Sequence, residues 1–366
     1  NALVDMGEQT GWIPDAHIAC RNAYMQSGGS APILFREAAA KGIEGVDYTR
    51  ALELLKAESD AHSPDPMVTG RYNECYNTIG YVSDDAPKSQ VSRHIEYAYY
   101  DWCIGKLAEQ LGDQATADEY RARSDRLWNL WRADLESFAP KHRDGTWDER
   151  YEPDFRSDDP YNDPYFYESS GRSWTFNTFQ DFPQLISRLG GPEQFVERLD
   201  AFYRCDPHAS IPKETRMHIP LLYTYAGHPE RTAALVHEML TTRYSDTRDG
   251  LPDNEDMGCQ SAFYMFYSAG LYPVMGQDLY ILSPPLLERT LLPVGAPDSL
   301  LEIVAPGARP GAFIGGVRLN GASLDRLWLR HDEIRDGAQI ETTIVDTPST
   351  FGSDNLPPNG NQTGWR

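Results

Sequence analysis

The chain has 366 residues, of which 40% are hydrophobic and 11% aromatic, enough to bury a substantial core and to argue against global disorder. Its 33 basic and 55 acidic residues give a formal net charge of −22, which disfavours nucleic acid and anionic membrane surfaces as partners. No run of about 18 apolar residues occurs, so the sequence predicts no membrane span.

The first part of the chain predicts helical hairpins. Apolar residues with helical spacing from Val91 to Leu107 indicate one helix, and Gly112 is a plausible stop. A second helix is expected to carry Trp131 and Leu135, which completes a hairpin over residues 90–136.

Two more hairpins follow. One covers residues 174–203 and is broken at Gly190-Gly191-Pro192; the other covers 218–240 and is broken at Gly227-His228-Pro229. Pro229 is well placed for the first turn of a helix. Each hairpin leaves one apolar stripe to bury, and a closed ring of hairpins fits this pattern better than an open array.

After residue 278 the pattern changes to strands. The segments "DLYILSP", "LLEIVAP", "AFIGGVRLNG" and "AQIETTIVD" are short, rich in β-formers and bounded by Gly, Pro or Asp. We therefore predict a helical domain over 1–275, a β-strand region over 276–347 and a polar tail over 348–366.

Carboxylates gather at the end of the helical part, in "DGLPDNEDMGCQSAFYMF". Residues 249–258, which we call the acidic loop, contain Asp253, Glu255 and Asp256. Such residues suit acid–base cleavage of a glycosidic bond or binding of calcium, although the EF-hand spacing is absent. Glu168 lies among aromatic residues, where apolar surroundings would raise its pKa and suit a proton donor. The alternative is a solvated surface loop and an exposed glutamate.

Other catalytic chemistries have weaker support. The sequence has no G-x-S-x-G, P-loop or G-x-G-x-x-G motif, and no Cys–His spacing indicates a nucleophile. Its Tyr and Trp clusters are more typical of core than of sugar platforms.

Several segments in one order resemble glycoside hydrolase family 92, the calcium-dependent, inverting exo-α-mannosidases. The segments that carry the resemblance are "GYVSDDAPKSQVSRHIEYAYYDWC", "IPLLYTYAGHPERTAALV" and "GLPDNEDMGCQSAFYMFYSAGLYPV", with "DLYILSP" and "VRLNG" further on. The resemblance implies a mainly α fold, an (α/α)6 helical toroid followed by a C-terminal β-strand region. Family members also carry an N-terminal β-sandwich, so a missing N-terminal segment or a partner chain is expected to cover the toroid mouth.

The resemblance also implies roles for particular residues. Glu168 matches the general acid, Asp256 is the best match to the general base and Glu255 lies beside it, while Glu214 and Asn254 are candidate calcium ligands. The expected substrate is a terminal α-mannoside of a glycan. Its implied contacts are Trp12, Arg21, Glu96, Tyr97 and His218. In inverting enzymes the two carboxyl groups lie roughly 6.5–9.5 Å apart.

Departures from the family pattern keep alternatives open. Ser169-Ser170-Gly171-Arg172-Ser173 replaces the motif that follows the acid, and Gly29-Ser30-Ala31-Pro32 replaces a His-Ala-Asp-Pro stretch. The chain could therefore act on a different sugar, or be a non-catalytic glycan-binding or structural subunit with the same fold. The resemblance places the protein outside the cytoplasm, secreted or periplasmic.

Overall fold

A computed structural model describes residues 1–14, 29–61, 73–86, 88–154, 163–206, 209–295 and 299–361. It also describes the backbone of two short strands, β1 (His17–Ile18) and β2 (Arg21–Asn22). The chain divides into two compact units: the first covers Asn1–Gln180 and the second begins at Asp181. No helix in the described part is long and apolar enough to cross a membrane.

The first unit is built around one long helix. The helices of this unit are α1 (Ala2–Thr10), α2 (Ala31–Ala40), α3 (Tyr48–Asp60), α4 (Asn73–Ile79), α5 (Gln90–Leu111), α6 (Gln114–Ser124) and α7 (Gly171–Trp174). In α5, every residue from Gln90 to Ala108 except Glu96 is buried, because α2, α3 and α6 all pack against it. Gly112, in a left-handed conformation with φ of 82°, ends α5 as the sequence predicts.

The predicted second helix of the first hairpin is wrong at its end. Helix α6 runs into a 3₁₀ turn that stops at Leu130, and Trp131–Arg132 (β3) then pairs with Ser137–Phe138 (β4). The Trp131 ring packs edge-on against Phe138, with ring centroids 5.3 Å apart. The aromatic residues with helical spacing therefore lie in a β-hairpin, where the half-buried Trp131 ring packs on the core, so tertiary packing overrides the local pattern.

The second unit opens with the other two predicted hairpins. Its helices are α8 (Phe182–Arg188), α9 (Pro192–Cys205), α10 (Leu222–Tyr225), α11 (Pro229–Thr242) and α12 (Cys259–Ala269). The hairpin broken at Pro229 is confirmed, and Pro229 is in the first turn of α11. The hairpin predicted from Trp174 begins only at Phe182, because the Asp181 carboxylate caps the Gln184 N–H at 3.0 Å and sets the helix start there.

Strands dominate the rest of the second unit. They are β5 (Leu271–Pro273), β6 (Leu279–Leu282), β7 (Arg289–Pro293), β8 (Leu300–Val304), β9 (Phe313–Leu319), β10 (Ala322–Leu324), β11 (Trp328–Arg330) and β12 (Ala338–Val345). They form a five-stranded sheet in the order β10-β9-β12-β8-β7 and a three-stranded sheet in the order β11-β6-β5. Only the β12–β8 pairing among these is parallel. The four segments predicted as strands are confirmed as β6, β8, β9 and β12. Leu282, Leu301 and Leu329, from both sheets, share one hydrophobic core.

The described part of the tail packs on the strands. Phe351 joins their hydrophobic core, and the Asn355 carbonyl accepts a hydrogen bond from the Trp328 indole at 3.1 Å. The predicted boundary at residue 275 differs from the division at Gln180, because α8 to α12 cluster with the strands rather than with the first unit. The boundary between a toroid and a strand region stays a prediction.

Candidate functional site

Glu168 follows a segment that is tied to the start of helix α5. The carbonyls of Asp163, Pro164 and Tyr165 accept hydrogen bonds from the N–H groups of Ser89, Gln90 and Val91 at 2.8, 3.0 and 2.9 Å. The first N–H groups of a helix have no acceptor inside the helix, so this pairing satisfies both partners. It fixes the chain a few residues ahead of Glu168.

The backbone at Glu168 is strained and well supported. Glu168 is half-buried and has φ of 51°, a left-handed conformation that is costly for a residue with a side chain. Directly before it, the Tyr167 N–H donates to Ser92 Oγ at 2.8 Å, and the Tyr167 carbonyl accepts from the Trp174 indole at 2.8 Å. These buried contacts hold the turn that presents Glu168.

The segment after Glu168 buries several polar side chains without partners. Within the described residues, no hydrogen bond reaches Ser169 Oγ, Ser173 Oγ, Thr178 Oγ1 or either polar atom of the Gln180 side chain. Such groups are costly to bury unless water or a ligand satisfies them. Sequence reasoning treated Ser169 and Ser173 only as departures from a family motif and missed Thr178 and Gln180.

The acidic loop ends in three successive left-handed residues. Asp256, Met257 and Gly258 have φ of 47°, 60° and 98°, after which helix α12 begins at Cys259. The Cys259 N–H donates to the Asp256 carbonyl at 3.3 Å. Asp256 is exposed and Glu255 is half-buried, so the strained turn leaves Asp256 accessible to solvent and partly shields Glu255.

A second segment brings Glu214 to this loop. Gln260 Nε2 donates to the Pro212 carbonyl at 2.6 Å, and Lys213 Nζ lies 3.0 Å from Asp253 Oδ2. Glu214 is the next residue. The sequence-predicted metal ligand and the predicted base therefore belong to one neighbourhood in the second unit.

Electrostatics supports this convergence. Burial, and then the negative charges of Glu214, Asp256 and Glu255, raise the pKa of the Cys259 thiol to about 11. Burial and the charge of Glu255 raise the pKa of Tyr244. Three carboxylates thus act on one half-buried thiol.

The donor chemistry of this neighbourhood suits calcium. Carboxylate and amide oxygens, as in Glu214 and Asn254, are ligands that calcium takes. Glu255 Oε2 is buried without a hydrogen-bond partner in the described part, and a cation would satisfy such an oxygen. No three His, Cys, Asp or Glu side chains among the described residues are grouped as a ready-made metal site. Any coordination shell would therefore also need carbonyl or water oxygens.

The predicted substrate contacts are spread over the chain. Glu96, which is half-buried within the buried stretch of α5, accepts a hydrogen bond from the Tyr100 hydroxyl at 2.7 Å. Tyr97 is fully buried in a core cluster, edge-on to Tyr76 at 5.7 Å. Trp12 is half-buried. The Arg21 side chain lies outside the described residues.

His218 belongs to the second unit, where its buried ring stacks on Phe182 with centroids 6.1 Å apart. Glu168, Trp12, Glu96 and Tyr97 belong to the first unit. Each group of residues is therefore placed within its own unit, and the role of each stays a prediction.

Comparison with known proteins identifies the family. Residues 1–346 match the glycosyl hydrolase family 92 catalytic domain. The chain belongs to glycosyl hydrolase family 92. Among curated proteins, an uncharacterized secreted glycosidase of Arthroderma benhamiae is 29% identical over 401 residues, which covers 97% of this chain and 50% of that protein.

Solved structures of the family share the fold. The family 92 inverting mannosidase of Bacteroides thetaiotaomicron VPI-5482 superposes with a TM-score of 0.86 at 25% identity, covering 99% of this chain and 52% of that one. A family 92 α-mannosidase from Bacteroides thetaiotaomicron in complex with mannoimidazole gives a TM-score of 0.82 at 24% identity, covering 90% of this chain and 45% of that one. The family 92 chain described here thus spans about half the length of these relatives.

Proposed function

We propose that this family 92 chain is part of an inverting, exo-acting α-mannosidase that removes terminal α-mannose from glycans with the help of calcium. The observation that carries the proposal is the family match over residues 1–346, together with Glu168 and Asp256 on strained turns. The inverting mannosidase that this chain resembles over almost its whole length adds support. The proposed architecture of the helical part is an (α/α)6 toroid.

In the proposed reaction one carboxyl group acts as the general acid and another as the general base. Glu168 donates a proton to the glycosidic oxygen, so that the leaving group departs as an alcohol. Asp256 accepts a proton from the water that attacks the anomeric carbon from the opposite face; Glu255 is the alternative base. Glu214 and Asn254 would hold the calcium ion, which when bound would supply a positive charge that coordinates sugar oxygens.

A second candidate is a glycosidase of the same fold that acts on another sugar. The replaced segment from Ser169 to Ser173 favours it, because two of its hydroxyls are buried without partners in the described part and would suit a different pattern of sugar hydroxyls. The proposed location is secreted or periplasmic, and a relative named as a secreted glycosidase supports it.

A substrate screen tests these proposals. Aryl α-mannoside, other aryl glycosides and mannobioses would be incubated with the protein, with and without a chelator, and the anomer of the first product read by NMR. We expect α-mannoside hydrolysis with inversion that chelation abolishes and calcium restores. Turnover of another glycoside alone would favour the second candidate. Mannoside binding without turnover of any substrate would show a non-catalytic glycan-binding subunit.

A further inference from the structure

Gln260 is a buried amide that joins three segments of the second unit. Its side chain is 2% exposed. Nε2 donates to the Pro212 carbonyl at 2.6 Å, and Oε1 accepts from the Tyr244 hydroxyl at 2.9 Å. The Tyr244 hydroxyl also lies 3.2 Å from the Gln260 carbonyl. A primary amide offers both donors and an acceptor, so it satisfies both neighbours at once.

The segment that Gln260 holds is the one that carries Glu214. Arg216 closes this segment from within, since its Nε donates to the Ile211 carbonyl at 3.1 Å. Another contact with the acidic loop is the ion pair of Lys213 with Asp253, and both side chains are 26% exposed. A partly exposed ion pair contributes little to position, whereas a buried hydrogen bond with no competing water is geometrically strict.

Gln260 also lies close to the turn that bears the acidic-loop carboxylates. It is the second residue of helix α12, directly after the strained turn of Asp256 and Met257. Its backbone N–H faces the Glu255 carbonyl at 3.4 Å. One side chain therefore connects the turn that bears the acidic-loop carboxylates to the segment that bears Glu214.

We infer that Gln260 is a positioning residue that sets the distance between Glu214 and the carboxylates Glu255 and Asp256. Its importance for turnover rests on the proposed function, but the positioning itself does not. Tyr244 assists, because its hydroxyl fixes the orientation of the Gln260 amide. We call the Gln260 and Tyr244 side chains together the clamp.

The test uses Gln260→Met, which keeps the length of the side chain and removes both hydrogen bonds. Thr232→Val is the matched control. Thr232 is 1% exposed and its hydroxyl donates to the Pro220 carbonyl at 2.8 Å. This variant therefore also removes a buried hydrogen bond to a proline carbonyl in the same unit. Tyr244→Phe removes one arm of the clamp and provides a milder variant if Gln260→Met does not fold.

The first readout does not depend on activity. Burial, and then the negative charges of Glu214, Asp256 and Glu255, raise the pKa of the Cys259 thiol, so its alkylation rate, measured by peptide mass spectrometry in chelator, reports the packing and the charge around it. Cys205, which is exposed, serves as the internal reference. We expect Cys259 in Gln260→Met to react at least about threefold faster, since thiolate availability controls the rate. Thr232→Val should leave the rate unchanged.

The second readout is kcat and KM on whichever glycoside the parent protein hydrolyses. We expect a loss in kcat of about tenfold for Gln260→Met, because misplacement of a catalytic group costs rate more than affinity. Tyr244→Phe should lose less, and the double variant no more than Gln260→Met alone. Unchanged Cys259 reactivity and unchanged kcat in Gln260→Met would overturn the inference. A parent protein without hydrolytic activity, but with a responsive Cys259, would overturn the proposed function and leave the clamp intact.

Discussion

Strained backbone marks the two residues that the sequence predicts as acid and base. Within the described part, the non-glycine residues with positive φ are Ser89, Glu136, Glu168, Asp256, Met257 and Asn320. Each left-handed non-glycine residue costs of order 1–3 kcal/mol and persists only where its surroundings enforce it. Contacts of Tyr167 enforce it at Glu168, and the start of α12 enforces it at Asp256. The strain supports a functional role for both turns.

Glu168→Gln should separate substrates by their leaving groups. If Glu168 is the general acid, the variant loses about 10²–10⁴-fold in kcat/KM on mannobioses, whose alkoxide needs a proton to depart. It should lose far less on an aryl mannoside whose phenolate departs unaided. Steady-state kinetics on both substrates provides the measurement. Equal losses on the two would show that another residue supplies the proton.

Asp256→Asn should reduce the rate on both substrates. Water must be deprotonated whatever group leaves, so a loss of about 10²–10⁴-fold is expected on mannobioses and aryl mannosides alike. Glu255→Gln, one residue away, is the matched control and should retain more activity. If the two variants exchange these behaviours, Glu255 is the base.

At the scale of single elements, helix α5 depends on a buried neutral histidine. His94 is fully buried, and its Nε2 donates to the Arg126 and Leu127 carbonyls at 2.9 and 3.1 Å, which joins α5 to the 3₁₀ turn after α6. His94 Nδ1 has no partner in the described part. Burial, with a smaller contribution from the positive charges of Arg126 and Lys141, lowers the His94 pKa from 6.5 to about 4, although the hydrogen bonds to the two carbonyls act in the opposite direction.

Acid should therefore destabilise this element. Because the folded-state pKa is below the unfolded value, the unfolded chain binds the proton first, so stability is complete above pH 6.5 and is lost as the pH falls towards about 4. The loss attributable to His94 is up to roughly 3 kcal/mol. Urea unfolding at pH 7.5 and 4.5 measures it.

His94→Gln is the control for this pH dependence. Glutamine donates to the same carbonyls and does not titrate, so the variant should be less stable than the parent at pH 7.5 but lose less on acidification. An identical pH dependence in parent and variant would assign the acid sensitivity to other groups, of which buried His237 is the next candidate, since burial lowers its pKa too.

Elements differ in how well local pattern predicts them. Periodicity and stop signals predict helix α5, the break at Pro229 and the strands β6, β8, β9 and β12. In these segments the local conformational preference agrees with the conformation that the tertiary fold requires. The segment after Leu130 does not. Its aromatic spacing suits a helix, but the β3–β4 hairpin packs the half-buried Trp131 ring against Phe138.

At the scale of the whole molecule, acidity should make stability depend on salt. The net charge of −22 means that the excess negative side chains repel one another in the compact state. Raising the ionic strength from about 0.01 to 0.15 M shortens the Debye length from about 30 to 8 Å and so weakens this repulsion. We expect the Tm to rise by a few degrees in sodium chloride, measured by calorimetry in chelator so that divalent ions do not contribute. A Tm that falls with salt would show that attractive ion pairs outweigh the repulsion.

Exposed apolar side chains accompany the acidic loop. Leu251, Met257, Tyr264 and Met265 are 42%, 99%, 41% and 49% exposed, on the loop and the helix that follows it. The sequence predicts such a surface beside the toroid mouth, covered by a further segment or a partner chain. That cover stays a prediction.

The sequence alone determined the family and the order of helical hairpins and late strands, since motifs and periodicity are local properties of the chain; the chemistry of the site stays a prediction. Tertiary structure decided which of those residues meet. Glu214 and Asp256 are far apart in the chain. The hydrogen bond from Gln260 Nε2 to the Pro212 carbonyl and the ion pair of Lys213 with Asp253 bring their segments together. Gln260, and Gln180, whose side chain has no hydrogen-bond partner among the described residues, carry no sequence signal, because burial depends on the packing of distant segments.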